Sequence, residues 1–142
     1  MNGLAFFDTN ILLYGDDASV PEKQRRASTL FADHLRRRTA VLSLQVLQEF
    51  FSAGTRKLNF TPEFAQQRVQ TFSFANIVCF DVPDVVAAIE LYRLTQISFW
   101  DALIVHAARI GGAKVLYSED FQHGAILGGV RVVNPFLPGA SS

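Results

Sequence analysis

The chain has 142 residues, 49% hydrophobic and 18% charged, with thirteen Phe and a formal net charge of zero. That profile excludes a disordered chain and predicts one compact domain with a sizeable core. No apolar run approaches the roughly 20 residues that span a bilayer, and zero net charge gives no global argument for a polyanionic partner.

The charge distribution is less even. Lys23, Arg25, Arg26, Arg36, Arg37, Arg38, Arg56 and Lys57 supply eight of the thirteen basic residues. Arg36-Arg37-Arg38 reads as a solvated helix end favoured by the helix dipole, or as a phosphate-binding patch. The single cysteine, Cys79, has no intrachain partner and reads as a small buried hydrophobe in a reducing compartment. No signal-peptide pattern opens the chain, so the expectation is a soluble cytosolic domain without a membrane partner.

In chain order, Leu4 to Phe7 is a strand that stops at Asp8. Thr9 or Asn10 can cap a short helix through Tyr14, and Gly15-Asp16-Asp17 reads as a turn. Pro21 opens a helix carrying Leu30, Phe31, His34 and Leu35 at helical spacing. Ala-Val-Leu within 39–43 is a buried strand, and Ser43 can cap the next helix, with Leu47, Phe50, Phe51 and Gly54 on one face. Gln45, Gln48, Glu49 and Ser52 form a polar stripe on another face. Thr61-Pro62 starts a helix with Phe64, Ala65, Val69 and Phe72.

Residues 77–80 form the third strand candidate, and Pro83 opens a helix through Leu94. Ser98 caps a helix in which Trp100, Ile104, Ala107, Ala108 and Gly111 share one face, and its apolar character predicts a place at the centre of the core. Residues 114–117 are a strand, 118–124 a loop or single turn, and 130–133 a last strand before Pro135. Strands alternating with helices imply an α/β fold with a mostly parallel sheet covered by helices. A single domain over 1–137 and a tail over 138–142 are expected.

Thirteen residues are acidic, and most, such as Glu22, Asp33, Glu63 and Glu90, sit on helix surfaces or first turns. Four have apolar surroundings. Asp8 ends a buried strand, where an unpaired charge is costly, although it could also cap the following helix. Glu49, beside Phe50 and Phe51, is either a site residue or part of the solvated stripe. Asp101 matches a capping box with Ser98, a role compatible with pointing out of the helix N-terminus. Asp120 follows a strand as Asp8 does, and its neighbour Glu119 is a rival for that position.

Two of these acids end parallel strands and two sit on helices that pack near the same edge, where α/β sheets bind ligands. Four clustered carboxylates raise one another's pKa unless a cation joins them. Hard oxygen donors without a His/Cys pair select Mg²⁺ or Mn²⁺ over zinc, and such a site supports metal-assisted phosphodiester hydrolysis. His34 and His106 read as packing residues, while His123 could touch a substrate phosphate.

The stretches Asp8-Thr9-Asn10-Ile11-Leu12-Leu13-Tyr14, Gln48-Glu49-Phe50, Phe99-Trp100-Asp101-Ala102-Leu103-Ile104 and Leu116-Tyr117-Ser118-Glu119-Asp120-Phe121-Gln122-His123-Gly124 resemble, in order and spacing, the motifs of PIN-domain ribonucleases, above all VapC toxins of bacterial type II toxin–antitoxin systems. The resemblance implies a three-layer, flavodoxin-like PIN fold and a Mg²⁺- or Mn²⁺-dependent endoribonuclease. It places Asp8, Glu49, Asp101 and Asp120 in the acidic quartet, with Glu119 as rival for the fourth ligand. Thr9, Asn10 and Ser118 fall at positions that orient substrate or water. It further implies an RNA substrate, a homodimer and a small antitoxin lying across the helices, whose Phe residues (Phe50, Phe51, Phe60, Phe64, Phe72, Phe74) suit a groove or the core.

Two other readings compete. A PIN-like binding module would act without catalysis. A receiver-like signalling domain also gathers acids at a sheet edge but needs a Lys after a late strand, and Lys114 precedes its strand.

Overall fold

The computed structural model describes residues 3–139; of the expected tail, 140–142 lie outside the described residues. The elements run β1 (Ala5–Phe7), α1 (Thr9–Gly15), α2 (Pro21–Arg36), β2 (Ala40–Ser43), α3 (Leu44–Lys57), α4 (Pro62–Phe72), β3 (Asn76–Val78), α5 (Val82–Leu94), α6 (Phe99–Ile110), β4 (Val115–Tyr117), β5 (Ile126–Leu127) and β6 (Val130–Val133). Local chemistry sets the helix starts. Ser43, Thr61 and Ser98 each accept a hydrogen bond from a backbone N–H in the first turn, as N-caps do. Pro21 and Pro62 stand at helix starts, where the missing N–H costs nothing.

The sheet order is β3-β2-β1-β4-β6-β5, parallel throughout except for β5 against β6. From β1 the chain steps outward to β2 and β3, then crosses back to β4 on the other flank of β1. Right-handed crossovers place helices of opposite stepping directions on opposite faces. Accordingly α1 packs on α2 and α3, and α3 on α4, while α5 pairs with α6, which lies against β2, β4 and β6. This is a three-layer α/β fold with β1 at its centre.

Phenylalanine builds much of the first layer. Phe7 meets Phe31 edge-on at 5.1 Å, Phe31 meets Phe72 at 5.4 Å, and Phe72 meets Phe50 at 4.9 Å. Such contacts add about 0.5–1.5 kcal/mol each beyond simple burial, so β1, α2, α4 and α3 are held through one aromatic chain. Phe51, Phe64 and Phe74 are instead exposed.

Several expectations are corrected. Asp8, not Thr9 or Asn10, is the N-cap of α1. The third strand ends at Val78, because its pairing partner β2 ends at Ser43, opposite Val78. Cys79 therefore lies just past the strand and is exposed. Trp100 is 64% exposed although Ile104, Ala107 and Ala108 on its helical face are buried; it sits in the first turn of α6, at the rim of the sheet. Pro83 is the second residue of α5, which Asp81 and Asp84 open as a capping box. Strand β5 was not foreseen. It pairs with β6 through a two-residue Gly128-Gly129 turn with φ of 56° and 81°, a conformation that favours glycine.

Candidate active site

All four singled-out acids belong to the carboxyl edge of the sheet or the helix ends above it. The Asp8 N–H donates to Tyr117 O at 2.9 Å, carrying the β1–β4 pairing one step past both strands. That step sets Ser118 beside Asp8, and the Ser118 hydroxyl donates to Asp8 Oδ2 at 2.7 Å. Asp8 Oδ1 accepts from the Thr9 N–H at 2.8 Å. Asp8 therefore caps α1 while its carboxylate stays at the sheet edge beside Ser118.

Glu49 comes to the same edge from the second turn of α3. The Thr9 hydroxyl donates to Glu49 Oε1 at 2.6 Å, and Gln45 Nε2 donates to Oε2 at 3.1 Å. Gln45 was not assigned this role from the sequence, although its place four residues before Glu49 is a readable signal. Asp120 follows Ser118, its N–H donating back to the Ser118 hydroxyl at 3.1 Å. Asp101 stands in the first turn of α6, where its N–H donates to Ser98 Oγ at 3.1 Å.

Electrostatics ties the four together. Burial pushes Asp8 up to about 6, opposed by the hydrogen bonds from Ser118 and Thr9 and reinforced by the charges of Asp120 and Glu49. Asp101 is also raised, first by burial and, against a lowering hydrogen bond from Ser98, by the same Asp120 and Glu49 charges. Two carboxylates thus act on both of the others.

Glu119, the rival of Asp120, faces elsewhere. It accepts from the Tyr14 hydroxyl at 2.7 Å and forms an ion pair with Lys23. Burial pushes its carboxyl up, but the Lys23 and Tyr14 hydrogen bonds and the Lys23 charge together hold it below the usual range. Lys23 also lies over the Tyr14 and Phe136 rings, 4.5 and 5.1 Å from their centroids. Sequence reasoning missed this clasp, because Lys23 lies 96 residues from Glu119.

Asn10 Oδ1 receives a 3.5 Å contact from the Glu119 N–H, while its buried Nδ2 has no partner among the described residues. A cleft of about 310 Å³ opens over Thr9, Asn10, Glu49 and Asp120, with Arg56 at its side. His123 is exposed, its Nδ1 accepting from the Asn134 N–H at 3.0 Å. His34 and His106 are buried, the latter between Asp84 and Arg109. Arg36-Arg37-Arg38 lies at the end of α2 just before β2 begins, and so at the amino edge of the sheet, away from the acids. Arg36 and Arg37 pair with Asp33. Lys114 likewise precedes β4, on the edge where a receiver's lysine would be useless.

The donor set, carboxylates and hydroxyls without cysteine or imidazole, suits a hard divalent cation. Among the described residues no three acidic, histidine or cysteine side chains stand close enough together to hold a metal ion by themselves. An ion bound here would have to complete its shell with water or a substrate phosphate, as Mg²⁺ commonly does.

Comparison with known proteins gives a consistent picture. A model of the PIN domain matches residues 5–126. The structure is similar to a Sarcin-Ricin loop cleaving toxin, VapC20 of Mycobacterium tuberculosis, with a TM-score of 0.68 and 20% identity over 89% of this chain and 98% of that one. It is also similar to a toxin-antitoxin complex from Klebsiella pneumoniae (TM-score 0.65, 22% identity, 93% and 98% covered). DNA-bound VapBC from Salmonella typhimurium gives a TM-score of 0.67 at 16% identity, with 91% and 96% covered. At such identities the likeness is one of fold. No curated protein matches the chain by sequence.

Proposed function

The chain belongs to the PIN-domain family, and on that premise we propose that it is a divalent-metal-dependent endoribonuclease, the toxin of a toxin–antitoxin pair. The observation that carries the reading is geometric: Thr9 and Ser118 tie Asp8 and Glu49 to one sheet edge, where Glu49 and Asp120 line a single cleft, and the charges of Asp120 and Glu49 act on both Asp8 and Asp101. Similarity of fold to VapC20 and to the two toxin–antitoxin complexes supports the biological assignment.

In this reading Asp8, Glu49, Asp101 and Asp120 hold Mg²⁺ or Mn²⁺, and Glu119 is kept out by its clasp with Lys23 and Tyr14. Such an ion, when bound, would lower the pKa of an attacking water and offset the charge that builds on the phosphate. Ser118 and the Thr9 N–H fix the Asp8 carboxylate, so that it is aimed before anything binds. Thr9 and Gln45 do the same for Glu49. Second-sphere contacts of this kind govern affinity and orientation. Asn10 offers its unpartnered Nδ2 to a substrate oxygen. The protein works in the cytoplasm as a homodimer, and a small antitoxin silences it by covering the apolar groove of Leu44, Leu47, Phe51 and Val69.

Asp8→Asn or Asp101→Asn is expected to abolish cleavage of RNA while leaving the circular dichroism spectrum unchanged, and excess EDTA to stop the wild type. Full cleavage in EDTA refutes the metal dependence. Expression alone should arrest growth, and coexpression of the small neighbouring gene product should relieve the arrest.

A further inference from the structure

The acidic cluster poses a problem for its own substrate, because a polyanion must approach four carboxylates. Two cations stand where they could solve it. The cleft over Glu49 and Asp120 is flanked by Arg56. A second hollow of about 270 Å³ is lined by Tyr14, Asp17, Lys57, Leu58 and Glu119, Lys57 being the cation on it and Glu119 already being paired with Lys23. The two share Asn10, Leu13, Ala53 and Asp120, so they form one groove along the seam of α1 and α3 with Asp120 in the middle.

We propose that this groove binds single-stranded RNA, with Arg56 and Lys57 each holding a phosphate in one of its two hollows, beyond the acidic cluster along α3. The proposal rests on the nuclease reading and deepens it. Arg56 lies seven residues after Glu49, which returns it to the same face of α3 about 10.5 Å further along the axis. It therefore reaches a phosphate beside the one held at the acids. Both cations are exposed, and neither pairs with a carboxylate among the described residues. Arg56 Nε donates only to Ser52 Oγ, at 3.3 Å.

The helix dipole alone favours basic residues in the last turn of α3, but it does not place one in each hollow. Leu13, Tyr14 and Leu58 add an apolar surface on which unpaired bases can rest. Asn10, whose buried Nδ2 has no partner among the described residues, is one of the residues common to both hollows.

The test uses the full chain with Asp8→Asn as a non-cleaving background, and fluorescence anisotropy of a short labelled single-stranded RNA across a salt series. Each phosphate contact contributes about 0.7 to the slope of log affinity against log salt for single strands. Arg56→Gln with Lys57→Gln is expected to reduce that slope by about 1.4. With Asp8 intact, the same double variant should bind Mn²⁺ as the wild type does in calorimetry and melt at the same temperature. An unchanged slope overturns the proposal, as does duplex RNA binding as tightly as the single strand. Wild-type cleavage with an unchanged slope removes the groove and keeps the nuclease. A reduced slope in a protein that cleaves no RNA keeps the groove and removes the nuclease.

Discussion

Asp8 holds its proton more firmly when folded than when unfolded, about 6 against an ordinary 3.8. Its contribution to stability is therefore fully present below pH 3.8 and is lost as pH rises through about 6. Two pH units correspond to about 3 kcal/mol. Asp8→Asn should recover about 1–2 kcal/mol of this at pH 7 in EDTA, since one of the two hydrogen bonds Asp8 accepts must reorganise. Thermal melts of both proteins from pH 4 to 8 test this; parallel curves would count against a raised Asp8. Protons and metal also compete for this carboxylate, so Mn²⁺ affinity should fall as pH is lowered through about 6. At this scale the sequence was informative, because an acid ending an apolar strand announces its own desolvation. The choice between Asp120 and Glu119 was not legible, since it depends on Lys23 and Tyr14 from distant parts of the chain.

Among the elements, the loop after β4 and the helix α3 carry the most consequence. Glu119 anchors that loop to α1 and α2 through Tyr14 and Lys23, and Asp120 is the next residue. Glu119→Ala should weaken Mn²⁺ binding in calorimetry by about tenfold, the lower range for loss of a supporting contact, while Asp120→Ala should weaken it far more. Equal losses would make Glu119 a ligand in its own right. In α3, a Cβ on Gly54 would come within 2.6 Å of Phe60 Cδ2. Gly54→Ala should cost about 1–3 kcal/mol as overpacking, read as a lower urea midpoint with an unchanged m-value. The caps Ser43, Thr61 and Ser98 were readable because each acts within three residues of itself. Strand β5 was obscured by its two-residue length, although Gly128-Gly129 between apolar residues was the available sign.

For the whole molecule, the layer order followed from alternation of strands and helices, but surface exposure did not. Trp100 and Cys79 look like core residues by neighbourhood, and their exposure depends on where the sheet stops. The same is true of α5, where Val82, Val85, Val86, Ile89 and Tyr92 recur at helical spacing yet remain exposed. An exposed apolar stripe of this kind is where the proposed homodimer is expected to form. Val86→Asp with Ile89→Asp should convert the proposed homodimer to monomer in sedimentation velocity; a persistent dimer would move the interface elsewhere. The sheet itself offers little to a partner, since its outermost strands are β3, three residues long, and β5, two residues long. Edges so short give a foreign strand almost nothing to pair with. Association is therefore left to side chains on helices, away from the strand ends after β1 and β4 where Asp8 and Asp120 stand. Surface and strand ends are thus separate regions of one scaffold, whose fold is recognisable at 16–22% identity.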